Sequence, residues 1–280
     1  MRKDNITGGQ GIKMGQDSIN VVAPRFKDEK VALHWQVDET DKSFSRLLYH
    51  LEKKTNFKPY FEKALRAVST DDKRMAKKAM VVADIGAGVC WTSAILANQP
   101  YVNHVYAIEP SEERLKSARF VIKHFKVPEN KITLIKGTFA EPKVPENADL
   151  ILLCGALHHC YNEDIPVLFA NIKNLLAKGG KVLIANDHYV NLFWVVIRFL
   201  SFIKNFKNRK EKGMSLTNLR APDLFSGEHW RTRKEIEDIF STQGFKASIF
   251  IHDGDLCKDK PTFFLRLGWH YYYAILENNI

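Results

Sequence analysis

A short apolar segment that runs straight into glycines constrains the fold of this chain most. Residues 80–85 read Met-Val-Val-Ala-Asp-Ile and are followed at once by Gly86-Ala87-Gly88. A run that is apolar on both faces is typical of a strand buried in a parallel sheet. Similar runs alternate with helical patterns as far as Ala185. The alternation predicts an α/β fold with a Rossmann-like, doubly wound, mostly parallel sheet of seven strands.

The predicted elements can be bounded from the sequence. Ser111, followed by two glutamates, is a good helix start, and so is the capping box that begins at Thr232. The helix over 165–177 is expected to stop at Gly179-Gly180. The seven strands are expected at Met80–Ile85, Val102–Ile108, Ile132–Ile135, Asp149–Cys154, Lys181–Ala185, Lys246–Ile251 and Gly268–Leu276.

The segments around this core divide the chain further. Residues 1–30 are polar and lack a sustained period, so they predict a flexible arm. Residues 31–79 predict a helical cover that ends in a charged connector over 71–78, and residues 80–186 hold the core. The alternation breaks after Asn186, so residues 187–230 predict an inserted lid. Residues 231–280 return to a helix and two strands.

Charge and cysteine content narrow the class of protein. Lysines and arginines outnumber acids 42 to 32, and a net charge of +10 favours an anionic partner, although a generally basic surface explains it equally well. The four cysteines show no metal-binding or disulfide framework spacing. No apolar signal region stands at the start of the sequence. These features predict a cytoplasmic location.

The glycine turn and an acid on the next strand predict a nucleotide site. Gly86 and Gly88 allow the backbone to approach a ligand, and Glu109 at the end of the second strand can accept ribose hydroxyls. A dinucleotide fingerprint would require a third glycine where Trp91 stands. The Asp84 carboxylate would repel phosphates, whereas it suits a ligand that carries an ammonium group.

Four segments resemble class I S-adenosylmethionine-dependent methyltransferases. Residues 82–88 (Val-Ala-Asp-Ile-Gly-Ala-Gly) are similar to the first motif of that family, and 106–111 (Tyr-Ala-Ile-Glu-Pro-Ser) to the second. Residues 148–159, which end in Leu-His-His, resemble the fourth-strand motif of the subgroup that includes ubiquinone and menaquinone biosynthesis enzymes. Residues 175–184 resemble the helix, turn and strand that follow there.

The resemblance implies S-adenosylmethionine as cofactor, S-adenosylhomocysteine as product, and a set of cofactor-binding residues. Asp84 is implied near the ammonium group, the glycine loop along the methionine part, and Glu109 at the ribose. The acid that the family places after the third strand is replaced by Thr138 and Phe139, with Glu141 further on. The implied set is Asp84, Gly86, Ala87, Gly88, Glu109, Pro110, Thr138, Phe139, Cys154 and Gly155.

Histidines follow the fourth and fifth strands, where the methyl acceptor is expected. Histidine titrates near neutrality and can act as a general base. The candidate bases are His159, His188 and His229, and the candidate substrate contacts are His158, Tyr161, Asp187, Tyr189 and Trp230. His158 and His159 also have a structural explanation, because paired histidines can shape the loop, and core packing explains Tyr161 and Trp230 equally well. No metal site is expected from His158, His159 and Cys160, because adjacent side chains point apart.

Three interpretations of the predicted lid remain open. Residues 192–203 are almost wholly apolar, and five basic residues lie between Lys204 and Lys212. The segment is too short to span a bilayer, so it is a lid helix, a peripheral membrane contact at the inner face of the membrane, or a partner interface.

The sequence predicts methyl transfer to a small-molecule or a glycan- or lipid-linked acceptor, at oxygen. The alternatives are a non-catalytic cofactor-binding protein that docks a membrane or partner and, less favoured for want of nucleic-acid motifs, an RNA methyltransferase.

Overall fold

The fold is described from a computed structural model of the 280-residue chain. The structure describes residues 32–71, 79–204, 206–208, 227–252 and 268–278. The predicted arm over 1–30, most of the charged connector and the second half of the predicted lid, including Arg209, Lys210 and Lys212, lie outside the described residues.

A seven-stranded sheet forms the centre of the molecule, as the sequence predicts. Its strand order is β3-β2-β1-β4-β5-β7-β6, and β7 runs antiparallel to both of its neighbours. The order turns back between β1 and β4, which is where an open α/β sheet holds its ligand, beyond the carboxyl ends of the strands. The strands are β1 Met80–Ile85, β2 Val102–Glu109, β3 Ile132–Lys136, β4 Ala148–Cys154, β5 Leu176–Val190, β6 Phe245–Ile251 and β7 Trp269–Asn278.

The helices lie on both faces of this sheet and cover its apolar side chains. Apolar residues from opposite faces of the strands enter two large buried clusters. Among the described residues, no helix has the length and apolar character needed to cross a membrane. The helices are α1 Asp41–Tyr49, α2 Phe57–Asp71, α3 Trp91–Ala97, α4 Glu112–His124, α5 Ile165–Leu175, α6 Leu192–Lys204 and α7 Arg233–Thr242.

The predicted helix starts are confirmed. The Ser111 hydroxyl accepts from the Arg114 amide at 3.3 Å and caps α4. Thr232 and Glu235 form the complete capping box of α7. The two helical stretches of the cover are joined by a π-helical turn over His50–Lys54. Three- and four-residue spacing of apolar side chains and local capping therefore decide these elements.

The fifth strand differs from its prediction. The sequence places it at Lys181–Ala185, whereas β5 begins at Leu176 and continues to Val190. The continuation pairs with β7, where Asp187 is opposite Tyr272 and His188 is opposite Tyr271. A polar Asn-Asp-His sequence has low strand propensity, so only this long-range pairing makes it a strand. Asp187, His188 and Tyr189 consequently lie within the sheet and not in a loop after it.

Candidate active site

The glycine loop after β1 has a backbone that only glycine adopts easily. Gly86 has φ of +79° and Gly88 has φ of +57°. A Cβ atom on Gly86 would lie 2.9 Å from the Cβ of Ala156, whereas one on Gly88 would meet nothing within 4 Å. The loop therefore bends sharply, is packed at Gly86 and is open at Gly88, where a ligand can lie against bare backbone.

Glu109 ties the end of β2 to this loop. One carboxylate oxygen accepts from the Gly88 amide at 2.9 Å, and the other accepts from the Ser111 amide at 3.0 Å. The side chain is buried. Each carboxylate oxygen can accept more than one hydrogen bond, so a ribose hydroxyl can still be accepted.

Asp84 is a fully buried carboxylate with one oxygen satisfied and one without a partner. Its Oδ2 accepts from the hydroxyls of Thr92 at 2.7 Å and Ser93 at 2.6 Å, whereas its Oδ1 has no hydrogen-bond partner. Burial raises the pKa of Asp84 to about 6, against the two hydroxyl hydrogen bonds, which lower it. Thr92 and Ser93 are hydroxyls in a fully buried helix, which is the signal that sequence reasoning passed over.

A cleft opens above the loop, and the N-terminal cover closes one side of it. Trp35 and Phe57 come from that cover. Asn186 joins the cover to the sheet, because its side-chain amide donates to the Phe57 carbonyl at 2.9 Å. Sequence reasoning missed Asn186, whose positive φ of 51° marks the kink in β5. The lining residues are Trp35, Phe57, Gly86, Ala87, Gly88, Val89, Trp91, Thr92, Arg114, Cys154, Gly155 and Asn186.

The residues that the resemblance implies near the adenine end of the cofactor have different surroundings. The Phe139 ring lies 3.5 Å from where a Cβ on Gly86 would be, so it borders the loop. The Thr138 hydroxyl accepts from the Glu141 amide at 3.2 Å in a local turn. The Glu141 carboxylate is 3.7 Å from the ammonium of Lys143. Pro110 is exposed.

His158 and Asp187 form a buried pair at the carboxyl end of the sheet. The Nδ1 atom of His158 donates to Oδ1 of Asp187 at 3.2 Å, and its backbone amide donates to Oδ2 at 3.2 Å. Burial opposes the charged imidazolium, but the charge and hydrogen bond of Asp187 outweigh it and raise the pKa of His158. A Cβ on Gly155, which lines the cleft, would lie 4.0 Å from Cε1 of His158. The imidazole therefore stands beside the cleft.

His159 and His188, which also follow β4 or lie on β5, have different surroundings. The His159 ring lies 4.1 Å from that of His158, measured between centroids. The His188 side chain is buried, 4.2 Å from the Trp269 ring and 4.5 Å from the His158 ring. His188 thus packs among aromatic rings behind His158.

His229 is held by carbonyl groups. Its Nδ1 donates to the carbonyls of Gly227 at 3.0 Å and His158 at 3.2 Å, which leaves only Nε2 for a ligand. Burial and the nearby Arg231 charge lower the pKa of His229. The ring of Tyr161 meets it edge-on, with centroids 4.6 Å apart.

Two candidate substrate residues are buried in the core. Tyr189 stacks on His270 with centroids 5.1 Å apart and is 7% exposed. Trp230 is 6% exposed and packs against Trp194 and Trp269 in an aromatic cluster. The position of Trp230 matches the core packing that the sequence left open for it, and Tyr189 also packs in the core.

Arg231 holds the loop that carries His158, and sequence reasoning missed it. Its guanidinium donates to the Leu157 carbonyl at 3.0 Å, to the Cys160 carbonyl, and to the side-chain oxygen of Asn162. The side chain is 6% exposed. An arginine buried with several acceptors fixes the path of a loop, because leaving its charge unpaired would be costly.

Side chains with metal-ligand chemistry also meet at this rim. His158, Asp187 and His188 bring ligand atoms within 4.8 Å of one another. Both oxygens of Asp187 already accept hydrogen bonds, from His158 and from the His188 amide. We interpret the group as a hydrogen-bonded pair with a neighbouring histidine, and the expectation of no metal stays a prediction.

Comparison with known proteins places this geometry in a family. A family model described as a methyltransferase domain matches residues 82–180, which hold the glycine loop, Glu109 and His158. An uncharacterised methyltransferase of Bacillus cytotoxicus is 29% identical over 164 residues, which cover 59% of this chain and 68% of that protein. The chain contains a methyltransferase domain. The cofactor of this methyltransferase is S-adenosylmethionine.

Solved structures share the fold of the methyltransferase. The magnesium protoporphyrin IX methyltransferase of Synechocystis, solved with bound S-adenosylhomocysteine, superposes with a TM-score of 0.51 at 14% identity, over 77% of this chain and 82% of that one. The pyocyanin biosynthetic protein PhzM superposes with a TM-score of 0.52 at 18% identity, over 85% and 59%. The expected sheet architecture is thereby confirmed.

Proposed function

We propose that this methyltransferase transfers the methyl group to a hydroxyl oxygen of a small-molecule or a glycan- or lipid-linked acceptor, with His158 as general base. The observation that carries the proposal is the His158–Asp187 pair beside the cleft. The Synechocystis protein that shares the fold is a magnesium protoporphyrin IX methyltransferase, so its acceptor is a small molecule. This supports only the broad class of acceptor.

The residues around the glycine loop fit the cofactor. The partnerless Oδ1 of Asp84 is a buried acceptor for which the amino group of S-adenosylmethionine is a suitable donor. The open backbone at Gly88 and the neighbouring Glu109 carboxylate suit the methionine part and the ribose. When bound, S-adenosylmethionine supplies an already activated methyl group on a sulfonium sulfur.

The residues of the chain then have two tasks. Cleft residues hold the acceptor in line, which in well-oriented reactions supplies roughly 7–11 kcal/mol of the barrier. His158 takes the hydroxyl proton at Nε2, because its Nδ1 is committed to Asp187. The Asp187 carboxylate stabilises the imidazolium that forms, and Arg231 keeps the loop in place. A general base of this kind contributes about 10²–10⁴-fold.

The proposal also covers the cellular location of the enzyme and the remaining candidate residues. We place the enzyme in the cytoplasm, with a peripheral contact at the inner face of the membrane through residues 192–212. Tyr161 and His229 lie next to each other near the His158 carbonyl, which suits them to contact the acceptor. His159 and His188 remain neighbours of the base, and His159 is tested with it.

Labelled methyl transfer to a panel of acceptors tests the proposal. The panel holds phenols, sugars, lipid-linked glycans and bulk RNA, and product analysis locates the methyl group. We expect O-methylation, a rate at least about tenfold lower for His158→Asn, and an unchanged calorimetric affinity for S-adenosylmethionine. His159→Asn is the matched control and should keep the rate.

Three outcomes would contradict the proposal. Loss of the rate in His159→Asn alone would move the base to the neighbouring histidine. Methylation of RNA alone would replace the acceptor class. Binding of the cofactor without turnover on any acceptor would favour a non-catalytic protein.

A further inference from the structure

The outward face of α6 is wholly apolar. Leu192 is 83% exposed and Leu200 is 59% exposed, and their neighbours on this face are exposed to similar degrees. At 3.6 residues per turn, the exposed apolar positions of the helix fall within an arc of about 120°. We call this arc the outer face of α6; it consists of Leu192, Phe193, Val196, Phe199, Leu200 and Ile203.

Apart from Lys204 at its end, the helix carries its polar side chains on the inward face. Trp194 and Phe202 are buried there, and Ser201 is half-buried. Arg198 is half-buried, and its guanidinium lies 5.8 Å from the ring centroid of Trp230. A surface helix of a water-exposed protein normally has the opposite arrangement. Within the described part of the chain nothing covers the outer face, so an apolar environment suits it.

The charged side chains that end and follow α6 in the described residues, Lys204 and Lys207, are positive. Lys204 ends the helix at the edge of the apolar arc, and exposed Phe206 and Lys207 follow it. The sequence holds no aspartate or glutamate from His188 to Lys210. An anionic lipid surface complements this border. A second copy of the chain would bring the same positive border and no complementary charge to it.

We propose that α6 docks this methyltransferase on an anionic membrane surface. The helix has 13 residues, or about 20 Å at 1.5 Å per residue, so it lies in the interface plane and does not cross the bilayer. Its outer face enters the boundary between headgroups and acyl chains, and Lys204 and Lys207 meet the anionic headgroups. The inference deepens the peripheral contact of the proposed function, and its test does not require a known acceptor.

Vesicle sedimentation with the full chain tests the docking. We expect binding to vesicles of phosphatidylcholine with phosphatidylglycerol, and weaker binding to phosphatidylcholine alone. Phe193→Ser with Leu200→Ser should weaken binding to both by roughly tenfold or more, because buried apolar area is lost. Lys204→Gln with Lys207→Gln should weaken binding by about tenfold on phosphatidylglycerol vesicles alone. Val167→Ser removes an apolar residue that is exposed elsewhere, on α5, and is the matched control.

Each variant is also titrated with S-adenosylmethionine, since unchanged affinity shows that the fold is intact whatever the acceptor is. The docking is overturned if the unaltered chain stays in solution with every vesicle. It is also overturned if analytical ultracentrifugation shows a dimer that Phe193→Ser with Leu200→Ser dissociates, because a second copy would then cover the face. Equal losses in Val167→Ser would likewise remove the assignment to α6.

Discussion

The Nδ1 atom of His158 lies 3.2 Å from the Oδ1 atom of Asp187, and the two residues come from the loop after β4 and from β5. The pair raises the pKa of His158 and lowers that of Asp187, in each case against burial. Its contribution to stability is present between the lowered pKa of Asp187 and the raised pKa of His158. The contribution is lost as pH falls through the former or rises through the latter.

The pair predicts an alkaline shift of the pH–rate profile. A general base must be neutral, so turnover should rise with pH through a pKa above 6.5, the usual value for histidine. Asp187→Asn removes the charge that raises this pKa and leaves burial, which lowers it. The rising limb should therefore move below its position in the unaltered enzyme, and the maximal rate should fall by at least about tenfold.

The measurement is the rate under saturating substrate from pH 5 to 10 for both proteins. Asp238→Asn, which changes an exposed acid on α7, is the control and should keep the profile. An unshifted limb in Asp187→Asn would show that another group titrates.

The buried Asp84 predicts opposite effects on stability and on binding. Its folded pKa of about 6 lies above the unfolded value, so the charged form destabilises the protein at neutral pH and stability rises as pH falls toward 4. Asp84→Asn should stabilise the cofactor-free protein at pH 7 by about 3 kcal/mol. The same change should weaken S-adenosylmethionine binding by at least roughly tenfold, because the ammonium loses its carboxylate.

Urea unfolding and calorimetry separate the two effects. In the unaltered protein, cofactor affinity should decline as pH drops through about 6, whereas in Asp84→Asn it should be nearly flat. A less stable variant would contradict the burial argument. An unchanged affinity would contradict the assignment of Oδ1 to the ammonium group.

The two glycines of the loop predict unequal responses to alanine. Both have positive φ, which costs an alanine about 1–2 kcal/mol. Gly86→Ala also places its Cβ 2.9 Å from that of Ala156, so its free energy of unfolding should fall by about 1–3 kcal/mol more than that of Gly88→Ala. Urea unfolding without cofactor measures both. Adding Ala156→Gly to Gly86→Ala should recover part of the difference, and equal losses in the two single variants would refute the packing at Gly86.

Local patterns predicted the core well. β1, β4 and β6 lie within one residue of their expected ends, because apolar runs between turn residues specify buried strands without outside help. The same holds for the helix starts at Ser111 and Thr232, where the capping groups lie within four residues of one another.

The composition of the rim after β4 and β5 was predicted, whereas the arrangement of its side chains was not. The histidines and Asp187 were singled out, with His159 or His188 as the preferred base and His158 as a substrate contact. Which neighbour faces an acid 29 residues away depends on the register of β4 and β5 and on the 3-10 turn over Leu157–His159. Neither this register nor this turn can be predicted from the local sequence pattern.

Periodicity and the residues at strand ends were enough to predict the sheet and the glycine loop with Asp84 and Glu109, and the resemblance of these motifs to a known family implied the cofactor. Three features came from the folded structure alone: β5 extends to Val190, Arg231 holds the loop that carries His158, and α6 turns its apolar side outward. Each of these rests on contacts between distant parts of the chain. Their free energy depends on which groups become neighbours, and an apolar helix read alone does not show which of its faces will be covered.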